Sequence, residues 1–454
     1  MTTRACRGAV ACAALLMTVG AGSPLAAQEA PLPRLDLFEA LERAVETHPA
    51  LQAAGAAWRQ ADAQVGQAKA EWFPQLSARA SLIQNQEPML AYPLHELSAT
   101  SMPTFDRTLI QGGVDLGWMV FDGGGRRARV GAARAQEEQA ATNRQVVTIE
   151  LVSQVTRAYL GVISTARVLD ALGQHERALA TERVRVVQFL EQGQAAQVEL
   201  LRVDAAIAQA AAERISAEAQ LDAAERSLAR LLDVPVEEAR ADRLTPVRLA
   251  SAPTADRAAM LDRLEEGNLD IREAEYAAES ADWARRAAVS AWFPRLDGVG
   301  SYGMWAIPDG PAQFEWQVGV RVSYPLFTGL RRSRAVAGAA ARAEAAQQNL
   351  ALTRLRSEDA LDRALTTVQE QQARTEAVAT AVGHLAEVAR IERLALDAGS
   401  GTQSDYLRAE ADLHTARASL VQAEYGEIAA IVELARTTGD LTIDWLRTTL
   451  ETTP

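Results

Sequence analysis

Ala70-Glu71-Trp72-Phe73-Pro74-Gln75-Leu76 recurs 220 residues later as Ser290-Ala291-Trp292-Phe293-Pro294-Arg295-Leu296. In both places an Ala-rich segment of helical periodicity runs into Trp-Phe-Pro, and proline disfavours a helical residue before it. Further on, Phe121-Asp122-Gly123 matches Phe327-Thr328-Gly329 and Gly193 matches Gly399, both at an offset of 206. The drop from 220 to 206 places 14 extra residues between Leu76 and Val114, so the first copy should carry the longer hairpin loop, Asn85 to Asp106. One unit is written twice, and this duplication organises the chain.

Each copy reads helix, strand, loop, strand, very long helix, tight turn, long helix. The first repeat, 28–232, has helices over 35–71, strands over 73–84 and 111–121, and a helical hairpin over 126–232. The second, 255–438, has helices over 255–291, strands over 293–305 and 314–327, and a hairpin over 330–438. Residues 233–254, with Pro235, Pro246 and Pro253, link the copies, and 439–454 occupy the matching place after the second. Both segments are expected in a belt around the helices.

The strands alternate. Leu76, Ala78, Ala80 and Leu82 interleave with Ser77, Arg79 and Ser81, and Val114, Leu116, Trp118 and Val120 with Asp115, Gly117 and Met119. Val318, Val320, Val322, Tyr324 and Leu326 do the same with Gly319, Arg321 and Ser323. Period-two segments of about 10 residues suit a lipid-facing barrel wall with a wet lumen. A soluble antiparallel sheet would alternate too, but Trp72, Trp118, Trp292, Trp305, Trp316 and Tyr324 gather on or beside these strands, as an interfacial belt requires.

No proline interrupts Arg126 to Glu191 or Leu330 to Asp397. At 1.5 Å per residue each stretch spans about 100 Å as one helix. Gly131, Gly161, Gly173, Gly338 and Gly383 mark local bends or close helix approach. In the returning helix, Val203, Ile207, Ala210, Ala217, Leu221, Ala224, Leu228 and Leu231 keep coiled-coil spacing, broken by Arg214; small knobs favour a wall one helix thick. Gly193 and Gly399 stand where a left-handed C-terminal residue is wanted. The tips of the two hairpins are therefore Gly193 with Gln194, and Gly399 with Ser400 and Gly401.

Arg4, Arg7 and the apolar run Ala9–Val19 read as a secretory leader ending near Ala27, too short to span a bilayer. Both cysteines, Cys6 and Cys12, fall inside it, which excludes disulfides and thiolate metal sites from the remainder. The formal charge of −13 becomes −13 − 2 = −15 without the leader's two arginines, and so acidic a chain is a poor partner for nucleic acid. His48, His95, His175, His384 and His414 show no metal-ligand spacing, and Gly123-Gly124-Gly125-Arg126-Arg127 lacks the Lys-Ser/Thr of a phosphate loop. No catalytic signature, cofactor or metal site is expected.

Four strands cannot close a barrel in a bilayer, where open edges leave backbone groups unpaired. Three copies supply twelve strands and a ring of long helices. The leader, the duplication, the two Trp-Phe-Pro-x-Leu strand starts, Phe121-Asp122-Gly123-Gly124 and the Gly193 and Gly399 turns together resemble the TolC-like outer membrane efflux proteins, over nearly the whole chain after the leader. The resemblance implies an α+β, mostly α, homotrimer: a twelve-stranded transmembrane β-barrel in the outer membrane, continuous with a periplasmic α-helical barrel. Its tips would meet a periplasmic adaptor coupled to an inner-membrane pump that exports drugs or other small molecules. Type I protein secretion and heavy-metal efflux are alternatives within the family, and a soluble periplasmic coiled-coil scaffold is the alternative outside it.

Glu199 with Arg202 and Asp405 with Arg408 stand at equivalent places, three residues apart on one helix face. They read either as solvated intrahelical pairs or as a periplasmic gate, and the resemblance implies an acidic role for Glu199 and Asp405 there. It also marks departures: Leu396 stands where a gate tyrosine is found, Gly401 where a gate arginine is found, and Arg408 where a second ring aspartate is found.

Overall fold

The computed structural model describes residues 34–94, 102–250 and 256–452; the expected leader lies outside them. In chain order the elements are α1 (Leu37–Thr47), α2 (Pro49–Ala70), β1 (Gln75–Leu90), β2 (Phe105–Phe121), α3 (Gly125–Glu191), α4 (Gln197–Leu232), β3 (Val247–Leu249), α5 (Arg257–Gly267), α6 (Leu269–Ser290), β4 (Arg295–Ala306), β5 (Gln313–Ser323), α7 (Arg331–Asp397), α8 (Gln403–Thr438), α9 (Ile443–Thr449) and β6 (Leu450–Thr452). The copies match closely: α3 and α7 each hold 67 residues, α4 and α8 each 36.

Each copy opens with two helices, and the strand boundaries differ from the sequence reading. Pro49 pushes His48 into an extended conformation, where its ring Nδ1 caps α2 by accepting from Ala50 N at 3.2 Å. Asn268 does the same for α6, its Oδ1 accepting from Ile271 N at 3.0 Å. The expected loop, Asn85 to Asp106, gives up only its ends to the strands: pairing resumes at Met89↔Asp106 and Leu90↔Phe105 after an irregularity beyond Gln84↔Thr108, which leaves 91–104 between β1 and β2. Conversely β5 stops at Ser323 instead of Phe327, because Pro325 has no N–H to offer a ladder.

The strands β1-β2-β4-β5 form one antiparallel sheet in that order. Beyond it the helices lie side by side. Near the sheet the row runs α2, α3, α6, α7, and toward the tips it runs α4, α3, α8, α7. In both rows the first copy meets the second across α3, against α6 above and α8 below.

Between the two rows sits the main core, a belt where β3 pairs with β6 and Leu37, Leu41, Leu228, Leu441 and Leu446 close around the middle of α3. One 18-residue window of α3 is apolar enough to cross a membrane by length and composition, a stretch the sequence reading passed over. Its apolarity has a local reason: Leu151, Val152, Val155, Tyr159, Leu160, Val162 and Ile163 are core residues of the belt. Buried Tyr159 anchors the belt, its hydroxyl 2.9 Å from the carbonyls of Leu35 and Thr245 and accepting from Thr245 N. Burial pushes this phenol's pKa upward.

The helix glycines separate by environment. A Cβ on Gly131 would lie 2.5 Å from the Trp283 ring of α6, whereas one on Gly161 would meet nothing within 4 Å. The same substitution should therefore act with opposite signs. Gly161→Ala should stabilise by up to about 1 kcal/mol from helix propensity, and Gly131→Ala should destabilise by about 1–3 kcal/mol through overpacking; thermal melts of the two variants compare them directly.

Candidate functional site

The register sorts the sheet into two faces. On one lie Leu76, Ala78, Ala80 and Leu82 of β1; Trp118, Leu116, Val114 and Ile110 of β2; Leu296, Tyr302 and Met304 of β4; and Val322, Val320, Val318, Trp316 and Phe314 of β5. This face is apolar and open: Leu76 is 71%, Leu82 72% and Val318 79% exposed. The other face carries Ser77, Arg79, Asp115, Gln111, Asp297, Ser301, Gln317 and Arg321, with Arg79 paired to Asp115 and Arg295 to Asp297. Near the helices it forms a concavity of about 820 Å³ lined by Gln75, Asp122, Arg129, Arg295, Asp297 and Arg321 among others.

This sorting corrects one expected interfacial aromatic. Trp305 is opposite Gln111 and Gln313, on the polar face, and its ring folds over Gly303, whose missing Cβ leaves the room. Parity explains the error, since Trp305 is three residues from Tyr302 and three is odd. Trp316 lies on the apolar face opposite Tyr302. Trp72, Trp118, Trp292 and Tyr324 gather where sheet meets helices, Trp118 Nε1 donating to the Trp72 carbonyl at 3.1 Å.

A duplicated clamp fixes that junction. Buried Arg126 donates to the Glu71 carbonyl at 3.3 Å and the Val120 carbonyl at 2.8 Å while its guanidinium lies 4.3 Å from the Trp72 ring centre. Arg332 in the second copy donates to Ala291 at 3.4 Å and Pro325 at 2.6 Å, over Trp292 and Tyr324. The glycines before Arg126 serve the turn: Gly123 and Gly124 have φ of 66° and 87°, and a Cβ on Gly123 would enter the Phe293 ring. Leu330 holds the position equivalent to Gly124 at a φ of 65°, a strained conformation for a branched residue.

At the far end both tips turn identically. Gly193 and Gly399 take φ of 71° and 74°, Gln194 N donates to the Phe189 carbonyl at 2.8 Å, and Ser400 N to the Ala395 carbonyl at 2.9 Å. Gly401 has its own reason, since a Cβ there would lie 2.9 Å from Leu396 N. An arginine would not fit that backbone.

The expected intrahelical pairs do not form within the protomer. Among the described residues, neither Glu199 and Arg202 nor Asp405 and Arg408 come within ion-pair distance. Asp405 instead accepts from the Thr402 hydroxyl at 2.6 Å, while Thr402 caps α8 by accepting from Asp405 N.

The polar cluster that does form lies deeper, between the copies. Glu182 of α3, 2% exposed, takes Arg185 Nη2 at 2.6 Å and Arg393 Nη1 of α7 at 3.3 Å. Arg185 reaches on to Asp397 at 2.9 Å, and Arg393 donates to the Tyr406 hydroxyl of α8 at 3.0 Å. Two acids and two cations thus tie α3 to both helices of the second hairpin. Sequence reasoning missed this set, because its members lie more than 200 residues apart and no spacing rule joins them.

An apolar-faced sheet, a row of helices about 100 Å long, and polar ties near the tips form one arrangement. The model of the outer membrane efflux protein family matches residues 40–233 and 260–440, one stretch per repeat. The chain belongs to this family. Outer membrane efflux protein BepC of Brucella suis biovar 1 is 26% identical over 98% of this chain and 92% of its own length, and protein CyaE of Bordetella pertussis is 25% identical over 90% and 87%. In structure, the outer membrane protein VceC of Vibrio cholerae aligns with a TM-score of 0.75 at 20% identity, over 89% of this chain and 96% of that one. Membership makes the protein a transport duct of the outer membrane with a large periplasmic portion.

Proposed function

We propose that three copies close a twelve-stranded barrel in the outer membrane and one continuous helical barrel below it, forming the exit duct of a tripartite system for drugs or other small molecules. The observation that carries this reading is the sheet: one face is apolar and exposed, and β1 and β5 are open edges. The apolar face is not tolerable in water, and the open edges are not tolerable in lipid until other copies pair with them. Trp72, Trp118, Trp292, Trp316 and Tyr324 then flank the hydrocarbon layer. The helix rows end on α2 and α7 near the sheet and on α4 and α7 toward the tips, and these helices meet the adjacent protomers as β1 and β5 do. Heated and unheated membrane samples test this reading: a detergent-stable trimer in the outer membrane supports it, and a freely soluble monomer removes it.

The tips, Gly193, Gln194, Gly399, Ser400 and Gly401, lie farthest from the membrane and dock the periplasmic adaptor, which brings the inner-membrane pump. Glu199, Arg202, Asp405 and Arg408 flank them with charges unpaired inside the protomer, available to a gate ring around the threefold axis. Gly399→Pro should leave the trimer in the membrane yet raise drug sensitivity at least several-fold, because proline cannot adopt a positive φ. Full export with unchanged adaptor crosslinking would move the docking site elsewhere.

A further inference from the structure

His175 of α3 and His414 of α8 face each other across the seam between the two copies, ring centres 4.2 Å apart and planes tilted by 43°. They are 9% and 8% exposed, and the Nδ1 of each is buried without a hydrogen-bond partner. Glu410, one turn back on α8, lies 3.3 Å from His414 Nε2, so a neutral His414 with its proton on Nε2 satisfies that contact. Each ring thus presents a buried Nδ1 that has no partner to accept from it once protonated, beside the other imidazole. Seven residues separate His175 from Glu182, about 10 Å along α3, so this pair and the arginine-carboxylate tie stand on the same seam.

We propose that the His175–His414 pair is an acid-sensitive catch that holds the two helical hairpins together at neutral pH and releases them as the periplasm acidifies. The inference rests on the duct reading above, in which relative movement of the hairpins changes the aperture. Burial first, and His414 second, lower the pKa of His175, against the pull of Glu410 from α8 and Glu213 from α4. The neighbouring Arg214 of α4 is engaged with Glu176 at 2.8 Å and with Glu218. Glu410 is itself held below the usual carboxylate range, chiefly by its hydrogen bond to His414, so it stays ionised where histidine titrates.

The sign follows by linkage. A released seam lets His175 titrate near its ordinary value of about 6.5, while the packed seam resists the proton. The packed form is therefore fully stable above that value and loses stability as pH falls below it. Carboxylates titrate lower and do not account for a change that begins there.

The test is planar-bilayer conductance of the purified full-length trimer, with the periplasmic side taken from pH 7.5 to 5.0, for wild type and His175→Gln/His414→Gln. In parallel, spin labels at Ala180→Cys on α3 and Thr415→Cys on α8 report the seam distance by pulsed resonance. The expected result is a several-fold rise in wild-type conductance below about pH 6.5, a widened label distance over the same interval, and no such change in the double variant. Channels with no pH response, or a response retained in the double variant, overturn the catch while leaving the duct intact. A protein that forms no channel at any pH overturns the duct reading, and a label distance that stays fixed overturns the catch independently of conductance.

Discussion

Val318→Arg should abolish stable insertion and trimer formation together. Val318 is central in β5, 79% exposed, on the apolar face opposite Gly300, and its neighbours on that face are Val320 and Trp316. An arginine on the lipid face at the bilayer midplane costs about 2–4 kcal/mol, and three copies carry it at once, so the assembled barrel loses roughly 6–12 kcal/mol, the order of a whole domain's stability. One residue away the outcome should reverse. Gln317 lies on the charged face opposite Ser301, where Gln317→Arg adds a cation to a wet wall and should leave the heat-modifiable trimer intact. Equal trimer yields for the two variants would invert the assignment of faces, and with it the barrel.

Glu182→Gln should open the tips without dissolving the barrel. The Glu182 side chain is 1% exposed and holds Arg185 and Arg393 simultaneously; removing its charge leaves both guanidiniums to Asp397, which is half exposed. Breaking a buried pair costs about 3–5 kcal/mol, and the lower end applies because Arg393 can turn to solvent. About 3 kcal/mol per protomer changes an open-to-closed ratio by roughly two orders of magnitude, so single-channel conductance at low salt should rise well above wild type. Glu182→Gln combined with Arg393→Gln should recover part of the closed behaviour, since the members act as one network. Arg408→Asp should do far less, because Arg408 is exposed and pairs with no acid among the described residues. Conductance of Glu182→Gln equal to wild type would reduce this cluster to a structural tie.

The aromatic residues show what was legible. Trp72-Phe73-Pro74 and Trp292-Phe293-Pro294 located both helix-to-strand junctions because proline and period-two alternation act through the adjacent backbone. The clamp over Trp72 was not legible, although Arg126 stood in plain view after three glycines. Its partners, the carbonyls of Glu71 and Val120, are backbone atoms that become neighbours only once the sheet has formed.

Local rules determined the uninterrupted length of α3 and α7, the left-handed turns at Gly193 and Gly399, and the alternation that separates an apolar face from a charged one. Each depends on residues within about two helical turns of one another, where steric and periodic constraints are strong. Tertiary structure alone decided where pairing between β1 and β2 breaks and resumes, that Glu182 meets Arg393, and that His175 meets His414. Those outcomes depend on register between strands and on alignment of helices separated by more than 200 residues. Register converts a shift of one residue into a change of face, and one sequence carries no local mark of where a distant helix will lie.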